Sequence, residues 1–138
     1  MLEILTHYLI VIELIFVVEP LVDTILLNPT LNVTFNCQVH SIEHSYEPMW
    51  TLYYPSTDRY LSTHNDDDRE LIEAHGIHYY SEGTVSNITI PGTVENNTQL
   101  WCTTLHAGVT EFSNLTEFIA GKFINLAFII RPGEIFFT

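Results

Sequence analysis

The sequence predicts an all-β fold, and three observations carry the prediction. The run Asn32-Val33-Thr34-Phe35-Asn36-Cys37-Gln38-Val39 alternates, with Val33, Phe35, Cys37 and Val39 on one side, and period two marks a half-buried strand. Trp50-Thr51-Leu52-Tyr53-Tyr54 and Leu100-Trp101-Cys102 are further runs of this kind. The chain has two cysteines, Cys37 and Cys102, each on the inward parity of its run, and Trp50 stands thirteen residues after the first.

The remaining elements follow in order. Residues 22–31 read as a first strand through Val22, Ile25, Leu26 and Leu27, ended by Asn28-Pro29. A strand at 32–39 follows, then a polar loop from His40 to Pro48. The strand at 49–54 is stopped by Pro55-Ser56, and Arg59-Tyr60-Leu61-Ser62 reads as a short strand after it. Asn65-Asp66-Asp67-Asp68 reads as a solvated loop, and Glu70 to Gly76 as a helical turn closed by its glycine. Ile77 to Tyr80 is a strand, Ser81-Glu82-Gly83 a turn, and 85–90 a strand ended by Pro91-Gly92. A strand at 99–105 leads through His106-Ala107-Gly108 into a last strand around 115–120.

Cysteine, tryptophan and cysteine at this spacing, each inside an alternating strand, together with the Ser86-Asn87-Ile88-Thr89-Ile90 strand, resemble a single immunoglobulin-superfamily domain from about Leu26 to Gly121. The resemblance implies a two-sheet antiparallel Greek-key sandwich, one inter-sheet disulfide between Cys37 and Cys102, and Trp50 packed against it in the core. Read from the residues alone, two free buried thiols are the alternative to the bridge. In the family's lettering, 32–39 and 85–90 become strands B and E of one sheet. The strands at 49–54, 99–105 and 115–120 become C, F and G of the other. Thirty residues between C and E leave room for edge strands, as in a variable-like or intermediate set. Two positions depart from the family pattern. Leu100 stands where members often carry the tyrosine of the tyrosine corner, so that corner must be held another way, with Glu95 the candidate acidic residue. No glycine-bulge motif of the antigen-receptor kind follows Cys102.

At 138 residues, the chain has the length of one domain with short extensions. The expected division is 1–20, a signal peptide or other N-terminal hydrophobic segment; 21–121, the immunoglobulin-like domain; and 122–138, an apolar tail that extends the last strand, pairs elsewhere or is the remnant of a truncated reading frame. Residues 1–18 are largely apolar around Glu13, but no Lys or Arg opens them and no small-x-small site precedes Glu19-Pro20. An added helix or edge strand is the alternative for this segment. The apolar octet from Phe123 to Ile130 is too short to span a bilayer, and no membrane anchor is evident in this chain.

Seventeen acidic residues against four basic ones give a net charge of −13. Arg59, Arg69, Lys122 and Arg131 are scattered, so there is no phosphate-neutralising patch, and neither nucleic-acid binding nor attraction to anionic membranes is expected. A basic partner, or plain solubility, suits this charge. Bridging cysteines imply an oxidising compartment, so the expected location is secreted or on the extracellular side of the cell surface.

Four sequons, at Asn32, Asn87, Asn96 and Asn114, satisfy the N-glycosylation pattern. Strand parity turns Asn32 and Asn87 outward on the B–E sheet, which glycans would coat. The opposite sheet is then the free one. With Trp50 and Leu52 inside, Met49, Thr51 and Tyr53 face out, and with Cys102 inside, Trp101 does too. Met49, Tyr53 and Trp101 therefore form the expected partner-binding patch, contacting another protein or a second copy. Cover by the short strand or the tail is the competing reading. The pairs His40/His44 and His75/His78, and the Asp66–Asp68 run with Glu70, invite a metal reading. Both pairs lie in loops or strand ends, and the acids lack the alternating spacing and turn glycine of a calcium loop, so no metal site is assigned. No phosphate loop, nucleophile elbow or catalytic cysteine pair is present, so neither an enzyme nor a cofactor is expected. The expected function is extracellular recognition or adhesion through the C-F-G face. A non-binding spacer domain and a calcium- or zinc-dependent binder are the alternatives.

Overall fold

The structure is a computed structural model, which describes residues 14–41, 45–106 and 108–120. Ten strands and one helix are defined in this region: β1 Ile15–Glu19, β2 Thr24–Leu26, β3 Asn32–His40, β4 Met49–Tyr54, β5 Arg59–Ser62, α1 Asp66–Ala74, β6 His78–Glu82, β7 Val85–Pro91, β8 Thr98–His106, β9 Val109–Phe112 and β10 Thr116–Ile119. One sheet has the order β1-β3-β7-β6. The other has the order β2-β10-β8-β4-β5, with β9 also paired to β8. All pairings are antiparallel except β2 with β10, which is parallel.

The inward residues of the two sheets meet in one core. Phe35, Cys37 and Val39 of β3, Trp50, Leu52 and Tyr54 of β4, Ile88 and Ile90 of β7, Leu100 and Cys102 of β8 and Phe118 of β10 are all buried there. Cys37 and Cys102 form the disulfide that joins the sheets across 65 residues of chain. Trp50 is the cross-strand partner of Cys102. Its indole N–H donates to Ser86 Oγ at 2.9 Å, and the Ser86 hydroxyl donates onward to the Tyr80 carbonyl at 3.0 Å. A buried indole nitrogen is thereby satisfied within the core, where leaving it unpaired would cost about 1–3 kcal/mol.

Several elements differ from the sequence expectation. The strand read at 22–31 is confined to Thr24–Leu26, because Thr24 to Leu26 is the stretch in register with β10. Ile15–Glu19, within the N-terminal hydrophobic segment, is an edge strand paired along its length with β3, Val18 opposite Cys37. The chain then passes through a cis Glu19–Pro20 peptide to β2 in the other sheet. Residues 1–13 and the tail 122–138 lie outside the described residues.

The largest correction concerns the acidic run. Asn65 to Asp68 is not a solvated loop but the start of α1. Asn65 caps the helix, its Oδ1 accepting from the Asp67 N–H at 2.9 Å. Acidic side chains in a first turn complement the helix dipole. Asp68 is only 4 % exposed, accepts from the Ser62 N–H at 3.0 Å and pairs with Arg59, so it pins the helix to β5. Ile72 turns into the core. The helix ends at His75, and Gly76 takes the left-handed φ of +80° that the turn into β6 requires.

The corner between β7 and β8 lacks the tyrosine and is tied by other groups. Thr98 Oγ1 donates to the Glu95 carbonyl at 2.7 Å, a hydroxyl-to-backbone bond across the corner. The Glu95 carboxylate reaches across to the β4–β5 turn and accepts from Ser56 N–H at 2.9 Å and Ser56 Oγ at 2.6 Å. Beneath it, burial and the nearby Glu95 charge push the Tyr54 hydroxyl well above its ordinary pKa. That hydroxyl has no hydrogen-bond partner among the described residues, while its ring stacks on His75 at 4.4 Å.

Two outcomes follow from this packing. Replacing both cysteines by alanine should lower unfolding free energy by about 2–4 kcal/mol, read from urea denaturation, since the bridge closes a long loop in the unfolded chain. Tyr54→Phe keeps the ring and deletes an unpaired hydroxyl, so neutral-pH stability should hold or rise by up to about 1 kcal/mol. With the folded pKa raised, the unfolded chain loses this proton first. The native chain should therefore lose stability as pH climbs above about 10, and Tyr54→Phe should flatten that decline. A clear loss of stability in Tyr54→Phe at neutral pH would show that the hydroxyl is bonded after all.

Candidate functional site: an aromatic band on the β2-β10-β8-β4-β5 sheet

The outer face of this sheet is laid out by register. Tyr60, Tyr53, Gln99 and Glu117 form one row across β5, β4, β8 and β10. Ser62, Thr51 and Trp101 form the next, and Met49, Thr103 and Phe112 the third. Four rings run along the first row and then diagonally across the other two. Tyr53 lies 5.1 Å from Tyr60, Tyr60 5.7 Å from Trp101, and Trp101 6.1 Å from Phe112, ring centroid to centroid. These are ordinary tilted and edge-to-face aromatic separations.

Tyr60 and Trp101 belong to strands separated by β4, so they meet above Thr51. Thr51 has outward parity, as expected, yet is only 7 % exposed, and its Oγ1 lies 3.1 Å from that of Thr103, which is also buried. Small hydroxyl residues thus floor the band, and large rings close over them. The band itself is open to solvent, with Tyr60 61 % and Phe112 50 % exposed. At its lower end the Tyr53 hydroxyl donates to Asp58 at 2.6 Å, and this bond raises the Tyr53 pKa.

Of the three expected patch residues, Met49, Tyr53 and Trp101 all lie on this face and are half-buried. Tyr60 and Phe112 were missed, although they are the more exposed members. Tyr60 was legible, since Leu61 beside it turns inward. Phe112 was not, because a bulge without glycine separates β9 from β10. Ser113, Asn114 and Leu115 span the gap that Trp101 and Cys102 span on β8. Ser113 fills the place of the missing ladder contact: its N–H donates to the Cys102 carbonyl at 2.8 Å, and its Oγ accepts from the Cys102 N–H at 2.9 Å. The extra residue reverses the alternation, so Phe112 faces out and Phe118 faces in.

The four sequon asparagines are all exposed. Asn32 and Asn87 lie on the outer face of the β1-β3-β7-β6 sheet. Their companion threonines, Thr34 and Thr89, are cross-strand partners with hydroxyls 2.9 Å apart. Asn96 is in the β7–β8 corner, its Oδ1 accepting from Ala120 N–H at 2.7 Å. Asn114 is in the bulge. The threonines of these last two sequons are buried and bonded to backbone, Thr98 to Glu95 and Thr116 to the Val22 carbonyl at 2.8 Å. Among the described residues no three His, Cys, Asp or Glu side chains gather as a metal site would need, and no helix is long and apolar enough to cross a membrane. His44 is outside the described residues, and Asp68 is held by Arg59 and Ser62.

No protein-family model and no curated protein matches the sequence. Among solved structures, the chain is similar to one from a crystal structure of the swine CD8αα homodimer, at TM-score 0.55 and 18 % identity over 77 % of this chain and 97 % of that one. The fold is that of an immunoglobulin-like, variable-type domain. In the lettering of that fold, β1 and β2 are A and A′, β3 to β5 are B, C and C′, β6 to β8 are D, E and F, and β9 with β10 is G. Helix α1 occupies the chain between C′ and D, so among the described residues this immunoglobulin-like domain carries C′ without C″. The disulfide between its sheets fits an extracellular domain.

Proposed function

We propose that this domain is an extracellular recognition or adhesion module that binds a protein through its C′-C-F-G face. The observation that carries the reading is the aromatic band Tyr53, Tyr60, Trp101 and Phe112, an apolar strip lying open on a sheet whose other side is the core. Aromatic residues are enriched at the energetic centres of interfaces, where rigid rings give large contact area at small entropic cost. The proposed contact residues are Met49, Tyr53 and Trp101 with Tyr60 and Phe112. The similar swine chain comes from a homodimer, which supports protein contact as the role of this type of sandwich. N-glycans at Asn32 and Asn87 would keep the A-B-E-D sheet from competing as an interface. The sequons at Asn96 and Asn114 are proposed as further acceptors, though their threonines have packing roles of their own. Binding is non-covalent and needs no cofactor.

The face is tested with tetramers of the full chain, expressed in animal cells and applied to a panel of animal cells. Trp101→Ala and Tyr60→Ala should each lower cell binding tenfold or more, by about the 1.4 kcal/mol or above expected of a buried aromatic anchor, with an unchanged far-ultraviolet circular dichroism spectrum. Cell binding that survives both substitutions sinks the assignment of this face. Glycosidase treatment of the secreted chain should lower its mass by at least the two glycans of Asn32 and Asn87. No shift, or loss of neither glycan in Thr34→Val and Thr89→Val chains, removes the shielding argument.

A further inference from the structure

The aromatic band has a charged frame. At one end of the face Glu117 lies in the row of Gln99 and Tyr53, Asp58 holds the Tyr53 hydroxyl, and exposed Asp23 accepts the Glu117 N–H through its carbonyl. At the other end exposed Glu47 precedes Met49, its carbonyl bonded to Thr104. The cations among the described residues are Arg59 and Arg69, and each is held by a carboxylate, Asp68 and Asp66 respectively. Lys122 and Arg131 lie outside the described residues.

Accepting the C′-C-F-G face as the docking surface, we infer that its occupant is not a second copy of this chain but a different protein whose matching face is apolar at the centre and rimmed by lysine or arginine. Both ends of the band are acidic, so a second copy sets carboxylate against carboxylate whichever way it is turned. Two chains of −13 each also repel as wholes. Like charges set face to face across an interface suppress the wrong partner, and opposite ones speed encounter with the right one. A basic rim on the partner reverses the sign at Glu47, Asp58 and Glu117 while the rings supply the apolar centre.

The test needs no knowledge of the natural partner, because the chain can be made into its own basic-rimmed probe. Glu47→Lys, Asp23→Lys and Glu117→Lys combined reverse the rim at positions whose side chains make no bond among the described residues beyond a 3.4 Å contact of Glu117 with Gln99. Its thermal melt, compared with that of the native chain, establishes that it folds. Mass is read by light scattering after size exclusion at pH 7.5, in about 0.1 M and about 1 M salt, where screening shortens from about 10 Å to about 3 Å. The native chain alone should run as a monomer at low salt. Mixed with the triple-lysine chain it should form a heterodimer at least about tenfold tighter than any self-pairing, weakened at high salt, and lost when either chain carries Trp101→Ala. A native chain that dimerises at low salt through Trp101 overturns this inference but leaves the face as the binding surface, with a second copy as its occupant. A mixture that stays monomeric also overturns it, since charge then does not choose the partner. Pairing indifferent to Trp101→Ala brings down the proposed binding face itself.

Discussion

The contact between Trp50 and the Cys37–Cys102 bridge sets the phase of everything else in the domain. Trp50 and Cys102 are neighbours across β4 and β8, and Cys37 comes from the facing sheet, so the three define the inside of both layers. Burying an indole is worth roughly 4–6 kcal/mol by area, provided its N–H is not stranded. Ser86 removes that condition from inside the facing sheet. The hydrogen bond therefore ties the sheets a second time, independently of sulfur. Once Trp50 and Cys102 are inside, pleating leaves Trp101 and Thr51 no choice but to face out. The exposed tryptophan is a consequence of the buried one.

What distinguishes the outer face is the size contrast along it. If Thr51 were large, Tyr60 and Trp101 could not approach to 5.7 Å across β4. Threonine at 51 and 103 also pairs hydroxyls beneath the rings, so each of these buried groups has a partner in the floor of the band. The bulge at Ser113 to Leu115 completes the arrangement by shifting phase within a single strand. One side of the shift supplies Phe112 to the band. The other supplies Phe118 to the core, where it meets Phe35 edge-on at 5.9 Å. A regular strand could deliver only one of these.

Alternation made the two sheets and the core readable wherever it ran unbroken, as in 32–39 and 49–54. It failed where a local device interrupts it. The bulge hides Phe112 because it carries serine where glycine would have announced it. The run Asn65 to Asp68 reads as loop by composition, since four consecutive polar residues have no apolar period. The helix exists because Asn65 caps it and Asp68 finds Arg59, a residue nine positions earlier in β5. No local pattern encodes that pairing. The β7–β8 corner was legible as a gap, from Leu100 and Glu95, but not as a solution. Thr98 and Ser56 supply the bonds from positions that carry no mark of it in sequence.

The sequons show how the same residues can belong to two arguments. Thr98 and Thr116 are buried, and each has a backbone acceptor that would be lost with its hydroxyl. The fold alone explains them, so the patterns at Asn96 and Asn114 do not need glycosylation to account for their presence. Thr34 and Thr89 stand differently. Their hydroxyls meet on the outer side of the sheet, where an exposed and a half-buried side chain bonded to each other contribute only a few tenths of a kcal/mol. Packing thus gives weak reason for threonine at these two positions, and the proposed glycosylation would supply one. Both positions lie on the sheet opposite the aromatic band. The proposed division of labour between the sheets therefore rests most firmly on Asn32 and Asn87, whose glycans would shield one layer and leave the other bare around Trp101.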